Sequence, residues 1–471
     1  MNQSIIVFKD WLPDLPDLDN PGVIDAKNAM PVDGSFKPFP VLASSGQAWG
    51  ATVNGAFSAS PTLLYAGSAT AVGVYASGAW ATLSSAPLSS GVDDYWEFAR
   101  YEDYVFATNY ANDIQYHTLG SSGTLNAISA ITASTAVYRA RQMGIVGQFL
   151  VIGDTCRTAG STVNHRIAWS GIDDPLNWPT PGSSTAIAVQ SGDQLLPAEF
   201  GAVTAIVGGD QYGVVFQKAA ITRMTYVGGT SVFQFDQIDK GRGAFFPRSV
   251  VQAGSSIYYA NLDGFWVTDG TQTRSLGKVS DYFQKLNLAN TPNALIGAHD
   301  SRNGLIWWMY PSNIIFYNYL EDRWGRGEHS LEYLVASAPD SSARAIRGFN
   351  TSHAPNYFSG ASATMAIVSG EKEGNPGGYT RVSGIKPLIG WNTLDGSGPS
   401  AAVTVALGYR NDMTSDVTYT SETTANARSG FADFRNEARY HRARVTIDPT
   451  AALDDIRSLG IQVISEASGL V

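Results

Sequence analysis

The sequence predicts an all-β fold: a β-propeller of six or seven blades, with an extended N-terminal arm and a small C-terminal β-sandwich. Three observations carry this. Paired strand-like runs recur along the chain at a nearly regular step. Composition is 44% hydrophobic and only 15% charged, with 48 Gly, 22 Tyr, 20 Phe and 11 Trp, whereas about a quarter charged is usual for a soluble domain. Heptads rich in Ala, Glu, Lys and Arg are missing, which excludes a long coiled coil. At 471 residues the chain is also too long for one ordinary core and suits a ring with flanking units.

The elements follow in order. Residues 1–60 read as an extended arm. Prolines at 13, 16 and 21 deny it a regular helix or a central strand, although Val23–Met30 has room for one helical turn. Residues 61–350 read as the propeller. Six pairs of β-rich runs, beginning near Leu63, Tyr104, Phe149, Tyr212, Ile257 and Leu305, are separated by steps of about 41, 45, 63, 45 and 48 residues. One four-stranded blade takes roughly 40–50 residues. The long step accommodates insertions at Thr158–Val163 and Trp178–Ser184. Radial stacking buries both faces of such sheets; two tandem sandwiches would fit less regular spacing. Leu331–Ala336 and the run to Phe349 are candidates to close the ring, with help from the arm. Residues 351–378, rich in Ser, Ala and Gly, read as a loop or linker, and 379–471 as a β domain.

Site chemistry is sparse. There is no phosphate-cradling Gly-x-x-x-x-Gly-Lys-Ser/Thr, no complete dinucleotide fingerprint and no Gly-x-Ser-x-Gly elbow. The six histidines show no metal-ligand spacing, and the single Cys156 excludes an internal disulfide and reads as a small buried hydrophobe. No catalytic residue, cofactor or metal site is therefore expected. Met1–Lys9 lacks the basic and long apolar segments of a secretory signal, and no membrane insertion is expected.

Net charge is −10, so strong bulk attraction to nucleic acid is not expected. Two basic clusters stand out: Lys240 with Arg242, and Arg435, Arg439, Arg442 and Arg444. Alternation in a strand puts Arg442 and Arg444 on one face. That row fits a contact with phosphate or an acidic partner, and equally a solvated face paired with Glu437 and Asp448. In the arm, Trp11, Asp14, Asp17 and Asp19 are candidates for an assembly contact; Pro21 and the lack of a distal Glu argue against a calcium loop.

Several phrases occur together and in order: Val7-Phe-Lys-Asp-Trp-Leu-Pro-Asp14, Pro31-Val-Asp-Gly-Ser-Phe-Lys-Pro38, Ala168-Trp-Ser-Gly-Ile-Asp-Asp-Pro-Leu-Asn-Trp178, Gly213-Val-Val-Phe-Gln-Lys218, Met224-Thr-Tyr-Val-Gly-Gly229, Asn261-Leu-Asp-Gly-Phe-Trp266 and Ile314-Ile-Phe-Tyr-Asn-Tyr-Leu-Glu-Asp-Arg-Trp324. Together they resemble the tail hub, or packaged-DNA stabilisation protein, of short-tailed phages, over most of 1–330 and more loosely beyond. The resemblance implies a virion protein assembled in the bacterial cytoplasm as a homo-oligomer, usually a hexameric ring. It would sit below the portal and adaptor, extend the channel for double-stranded DNA, retain the genome and dock fibres, spikes or a plug. The family has no catalytic residues to carry over. Low charge with abundant aromatics suits wide subunit contacts, and an acidic wall would let DNA slide. The alternatives are a receptor-binding tail protein and a propeller that binds or hydrolyses glycans. A glycan enzyme calls for repeated Asp-boxes and a central carboxylate and arginine cluster; Ser170–Trp178 has the flavour of an Asp-box without its spacing.

Overall fold

The computed structural model describes residues 2–43, 46–84, 87–91, 94–136, 138–157, 161–338, 346–390, 401–449 and 456–470. Among these, successive antiparallel sheets follow the chain: 55–82, 97–127, 138–195, 203–240, 251–275 and 296–328 with four strands each, then 331–357 with three. The inner strands are Gly55–Ser60, Glu97–Tyr101, Tyr138–Val146, Val203–Val207, Val251–Ala253, Ile296–Asp300 and Leu331–Val335. Each packs against the next, with the Pro247–Ser249 turn making the contact between the fourth and fifth, and Leu331–Val335 returns against Gly55–Ser60. The chain is therefore a β-propeller, and its described sheets make seven blades. The ring begins at 55 and runs to 357, slightly beyond the expected 61–350.

Alternation explains why blades stack. Leu305–Tyr310, LIWWMY, is buried at all six positions. Leu305, Trp307 and Met309 join the core shared with blade seven, where Leu331 and Leu334 sit. Ile306, Trp308 and Tyr310 face the opposite way, into a core with Phe265 of blade five. The same division sends Val215 toward Phe149 of blade three, and Val214 and Phe216 toward Ile257 and Tyr259 of blade five. A two-residue period buried on both sides is what a wedge between two neighbours requires.

Blade seven ends at Pro355–Tyr357, and the N-terminal segment covers that edge. The backbone N–H of Ala43 donates to Tyr357 O, and that of Trp49 to His353 O. This is the expected help of the arm in closing the ring, and it hides a strand edge.

The rest of residues 1–60 departs from the expected free arm. Asn2–Val7 pairs with Arg457–Leu470. Val23–Lys27 is an internal strand between Arg323–Glu328 and Met365–Ser369, and Ala29–Val32 forms a hairpin with Ser35–Pro38. No helical turn forms at 23–30. Asn28, at φ 54°, turns the chain from one sheet to the other. Its side chain donates to Thr364 O and accepts from Glu328 N–H. Asn tolerates this left-handed conformation better than most residues.

The expected linker is also corrected. Met365–Ser369 lies between Val23–Lys27 and Tyr440–Pro449 and is buried at four of its five positions. Short apolar strands flanked by Ser and Gly acquire their identity only from such distant pairing.

The C-terminal unit is a sandwich. One sheet contains Gly378–Gly390, Ala432–Ala438 and Arg457–Leu470 with Asn2–Val7 and the 29–38 hairpin; the other runs from blade six through Val23–Lys27, Met365–Ser369 and Tyr440–Pro449 to Ala401–Arg410. Val382, Ile385 and Ile461 meet Val405, Leu407 and Val445 in a core that continues without a break to Phe8, Trp11, Trp308 and Trp324. Propeller and sandwich thus share one core. The Thr158–Val163 insertion falls partly outside the described residues, whereas Trp178 is buried and its carbonyl accepts from Ala136 N–H.

Candidate functional site at the mouth of the propeller channel

The loops leading into the inner strands converge around a cavity of about 420 Å³ lined by Asn54, Asp94, Tyr95, Arg248 and residues 290–294. Arg248 sits on the turn before blade five, and Pro247 begins that turn, fixing its backbone. Its guanidinium donates to Asn293 O and Asn54 O, each at 3.2 Å. It also lies over the rings of Tyr95 (5.1 Å) and Tyr333 (4.8 Å). One cation therefore ties together the approaches to blades one, two, five, six and seven.

Arg141, on the inner strand of blade three, bridges two carboxylates. Its Nη1 is 2.6 Å from Asp94 Oδ1 and its Nε 3.2 Å from Asp154 Oδ2. The guanidinium also lies 4.2 Å from the Tyr110 ring centroid. Asp154 stands at a bulge with φ 49°, which turns its side chain out of register with the strand. Burial raises its pKa to about 6, opposed by Arg141. Burial likewise raises Glu97, on the inner strand of blade two, to about 7, opposed by Arg248. The phenol of Tyr95 accepts from Gln142 Nε2 at 2.6 Å, and burial pushes its pKa up. Glu332 accepts from Val53 N–H and faces His353 Nδ1 at 2.7 Å.

A second cavity, about 560 Å³, is lined by inner-strand residues of blades one, five, six and seven, among them Ala56, Ser58, Gln252, Gly297 and Tyr333. Its wall carries no Asp, Glu, Lys or Arg side chain. The arrangement offers paired cations and anions and two carboxyls poised to take up protons near neutrality.

Sequence reasoning missed this cluster. Its members sit in different blades, and ring closure alone brings them together. The backbone at Gly153-Asp154 carried the faintest signal, an acidic residue inside an apolar strand run.

The residues singled out from sequence lie elsewhere. Trp11 is 1% exposed, packs edge-on against Tyr282 at 4.9 Å and donates from Nε1 to Ile24 O. Asp14 accepts from the backbone N–H groups of Asp281 and Tyr282, capping Ser280–Lys285. Asp17 pairs with Arg442 at 2.8 Å and Asp19 with Lys372 at 3.0 Å. All four are used within the chain.

Arg442 and Arg444 do share one face, with Tyr419 beside both guanidiniums. Their carboxylate partners are Asp17 and Glu422, rather than Glu437 and Asp448. Arg439 lies over Tyr379 at 5.8 Å, Arg435 is exposed on Ala432–Ala438, and Arg242 lies over Trp266 at 4.7 Å. Lys240 is exposed at the end of Val232–Lys240 in blade four, on a different sheet from the other arginines. Cys156, in blade three, is partly exposed.

Among the described residues, no three His, Cys, Asp or Glu side chains gather as a metal cage would. No described helix is long and apolar enough to cross a membrane.

No family model matches the chain, and no curated protein matches it. Among solved structures it is similar to a chain of the mitotic checkpoint complex, at 8% identity and a TM-score of 0.43, over 68% of this chain and 92% of that one. It is also similar to the computationally designed Ika8 protein, at 9% identity and a TM-score of 0.39, over 68% of this chain and 99% of that one.

Proposed function

We propose that this protein is a structural component of a short-tailed phage virion: a tail hub or nozzle that assembles as a ring, extends the DNA channel below portal and adaptor, retains packaged DNA and docks fibres, spikes or a plug. One observation carries the reading. Four of the phrases that resemble that family, far apart in sequence, interlock at the joint between propeller and sandwich. Arg323 donates to Ser35 O and Phe8 O and lies over the Phe36 ring. Asn318 donates to Pro31 O, Glu321 accepts from Gly34 N–H, and Trp324 packs on Phe265. In this chain those phrases meet at one joint. A continuous core across that joint suits a part that bears load between neighbours.

The test is genome retention. Phage particles lacking this protein are expected to package DNA and then lose it, giving heads empty of nuclease-protected DNA. Full, infectious particles without it would contradict the proposal.

A second reading, a propeller that binds or hydrolyses glycans, is favoured by the carboxylate and arginine cluster at the channel mouth. Arg141→Ala abolishing binding on a glycan array would support it over the hub.

A further inference from the structure

Two unlike surfaces of the chain stand open. The first is a strand edge in the sandwich. Asn2–Val7 pairs with Arg457–Leu470 on one side and with no described strand on the other. Phe8 N–H donates to Leu459 O, so ladder alternation turns the N–H and C=O groups of Gln3, Ile5 and Val7 outward. Ile5 is 64% exposed and Val7 47%. Open edges are ordinarily guarded by charge or proline. The far edge of the same sheet, Ala432–Ala438, is guarded in that way, with Asp433, Arg435 and Glu437 all exposed. Asn2–Val7 carries neither a charged side chain nor a proline.

The second is a groove of about 410 Å³ on the outer rim of the propeller, between Gly192–Leu195 of blade three and Val232–Lys240 of blade four. Trp169 and Phe233, packed edge-on at 5.2 Å, belong to its wall. Exposed Ile187 lines it, and exposed Leu195 and Val227 adjoin it along the chain. Gly192–Leu195 is the outermost strand of its sheet. Leu196 N–H donates to His165 O, so the unpaired N–H and C=O groups of that edge belong to Asp193 and Leu195. Asp193 is the one charged side chain lining the groove, and Arg157 at 3.2 Å and Arg166 at 3.6 Å neutralise it.

Both surfaces are exposed in the same chain, so neither covers the other within one copy. A ring needs a heterologous contact, in which two unlike patches of one chain meet on neighbouring copies. An uncharged strand entering a groove without uncompensated charge buries no unpaired ion. Each surface also has backbone donors and acceptors for the other, as a strand added to a sheet edge requires.

We propose that these two surfaces form the contact between copies: Asn2–Val7 of one copy adds to the outer edge of blade three of the next, with Ile5 and Val7 against Ile187 and Leu195. The inference rests on the ring-forming reading above and deepens it.

The test uses two full-length variants altered only at exposed side chains. One carries Ile5→Lys and Val7→Lys, the other Ile187→Lys and Leu195→Lys. Circular dichroism should show both folded like the wild type. Light scattering, at a concentration where the wild type forms rings, should give each variant alone as a monomer. An equimolar mixture should give a dimer of twice that mass, because one intact strand then meets one intact groove and no ring can close. Rings from either variant alone, or a mixture that stays monomeric, would overturn this contact and leave the ring reading standing. A wild type that is monomeric at every concentration would overturn both.

Discussion

Replacing Arg323 with Leu tests the joint most sharply. The side chain is only 7% exposed. It donates to Ser35 O at 3.1 Å and to Phe8 O at 3.4 Å, lies 4.7 Å from the Phe36 ring centroid, and faces Asp10 and Glu321. The substitution leaves both carboxylates in place without their cation. Leucine fills some of the volume but offers no donor. Asp10 and Glu321 are 34% and 29% exposed and remain solvated once the cation is gone, so the cost comes mainly from the orphaned carbonyls of Ser35 and Phe8, about 1–3 kcal/mol each. The expected loss is therefore about 2–4 kcal/mol. Urea unfolding followed by tryptophan fluorescence measures it, since Trp324 adjoins the site and Trp11 shares its core. Limited proteolysis should also show faster cutting between residues 8 and 36. Arg323→Lys, which keeps the charge and loses the planar fork, should fall between the two. A loss below about 1 kcal/mol with unchanged proteolysis would refute the claim that this residue locks the sandwich to the ring.

Other outcomes follow from the same contacts. Glu97 has its folded pKa raised to about 7 from an ordinary 4.5. The native state therefore holds a proton that the unfolded chain releases, and stability from this group is present below about pH 4.5 and lost as pH rises toward 7. Glu97→Gln should stabilise the protein by about 2–3 kcal/mol at pH 8 and by little at about pH 4.5, read from urea midpoints; equal effects at both would contradict the burial. Glu371, 0% exposed, receives Arg410 through two guanidinium nitrogens, and Glu371→Ala should cost about 3–5 kcal/mol in the same assay. Asp14→Ala removes the acceptor at the start of Ser280–Lys285 and should cost about 1 kcal/mol, with Asn at that position restoring much of it.

The propeller was legible because its signal is local. Leu305–Tyr310 and Tyr212–Gln217 are continuous apolar runs, and turns return at blade spacing. What depended on distant pairing was not. Val23–Lys27 looks irregular beside Pro13, Pro16 and Pro21, yet its neighbours lie some 300 residues away in Arg323–Glu328 and Met365–Ser369. Removing residues 1–40 would therefore strip strands from both sheets of the sandwich. The common face of Arg442 and Arg444 followed from strand alternation, but nothing local marks Asp17 or Glu422 as their partners. The channel mouth was least legible: Asp94, Arg141, Asp154 and Arg248 span three blades and meet because the ring closes.

The central claim is that this fold serves as a ring-forming virion part. Electron microscopy of the purified protein, alone and mixed with the portal and adaptor assembly of a short-tailed phage, tests it directly. Rings of several copies coaxial with the portal, continuing its channel, are the predicted result. A monomer that never joins the assembly at any concentration would contradict it.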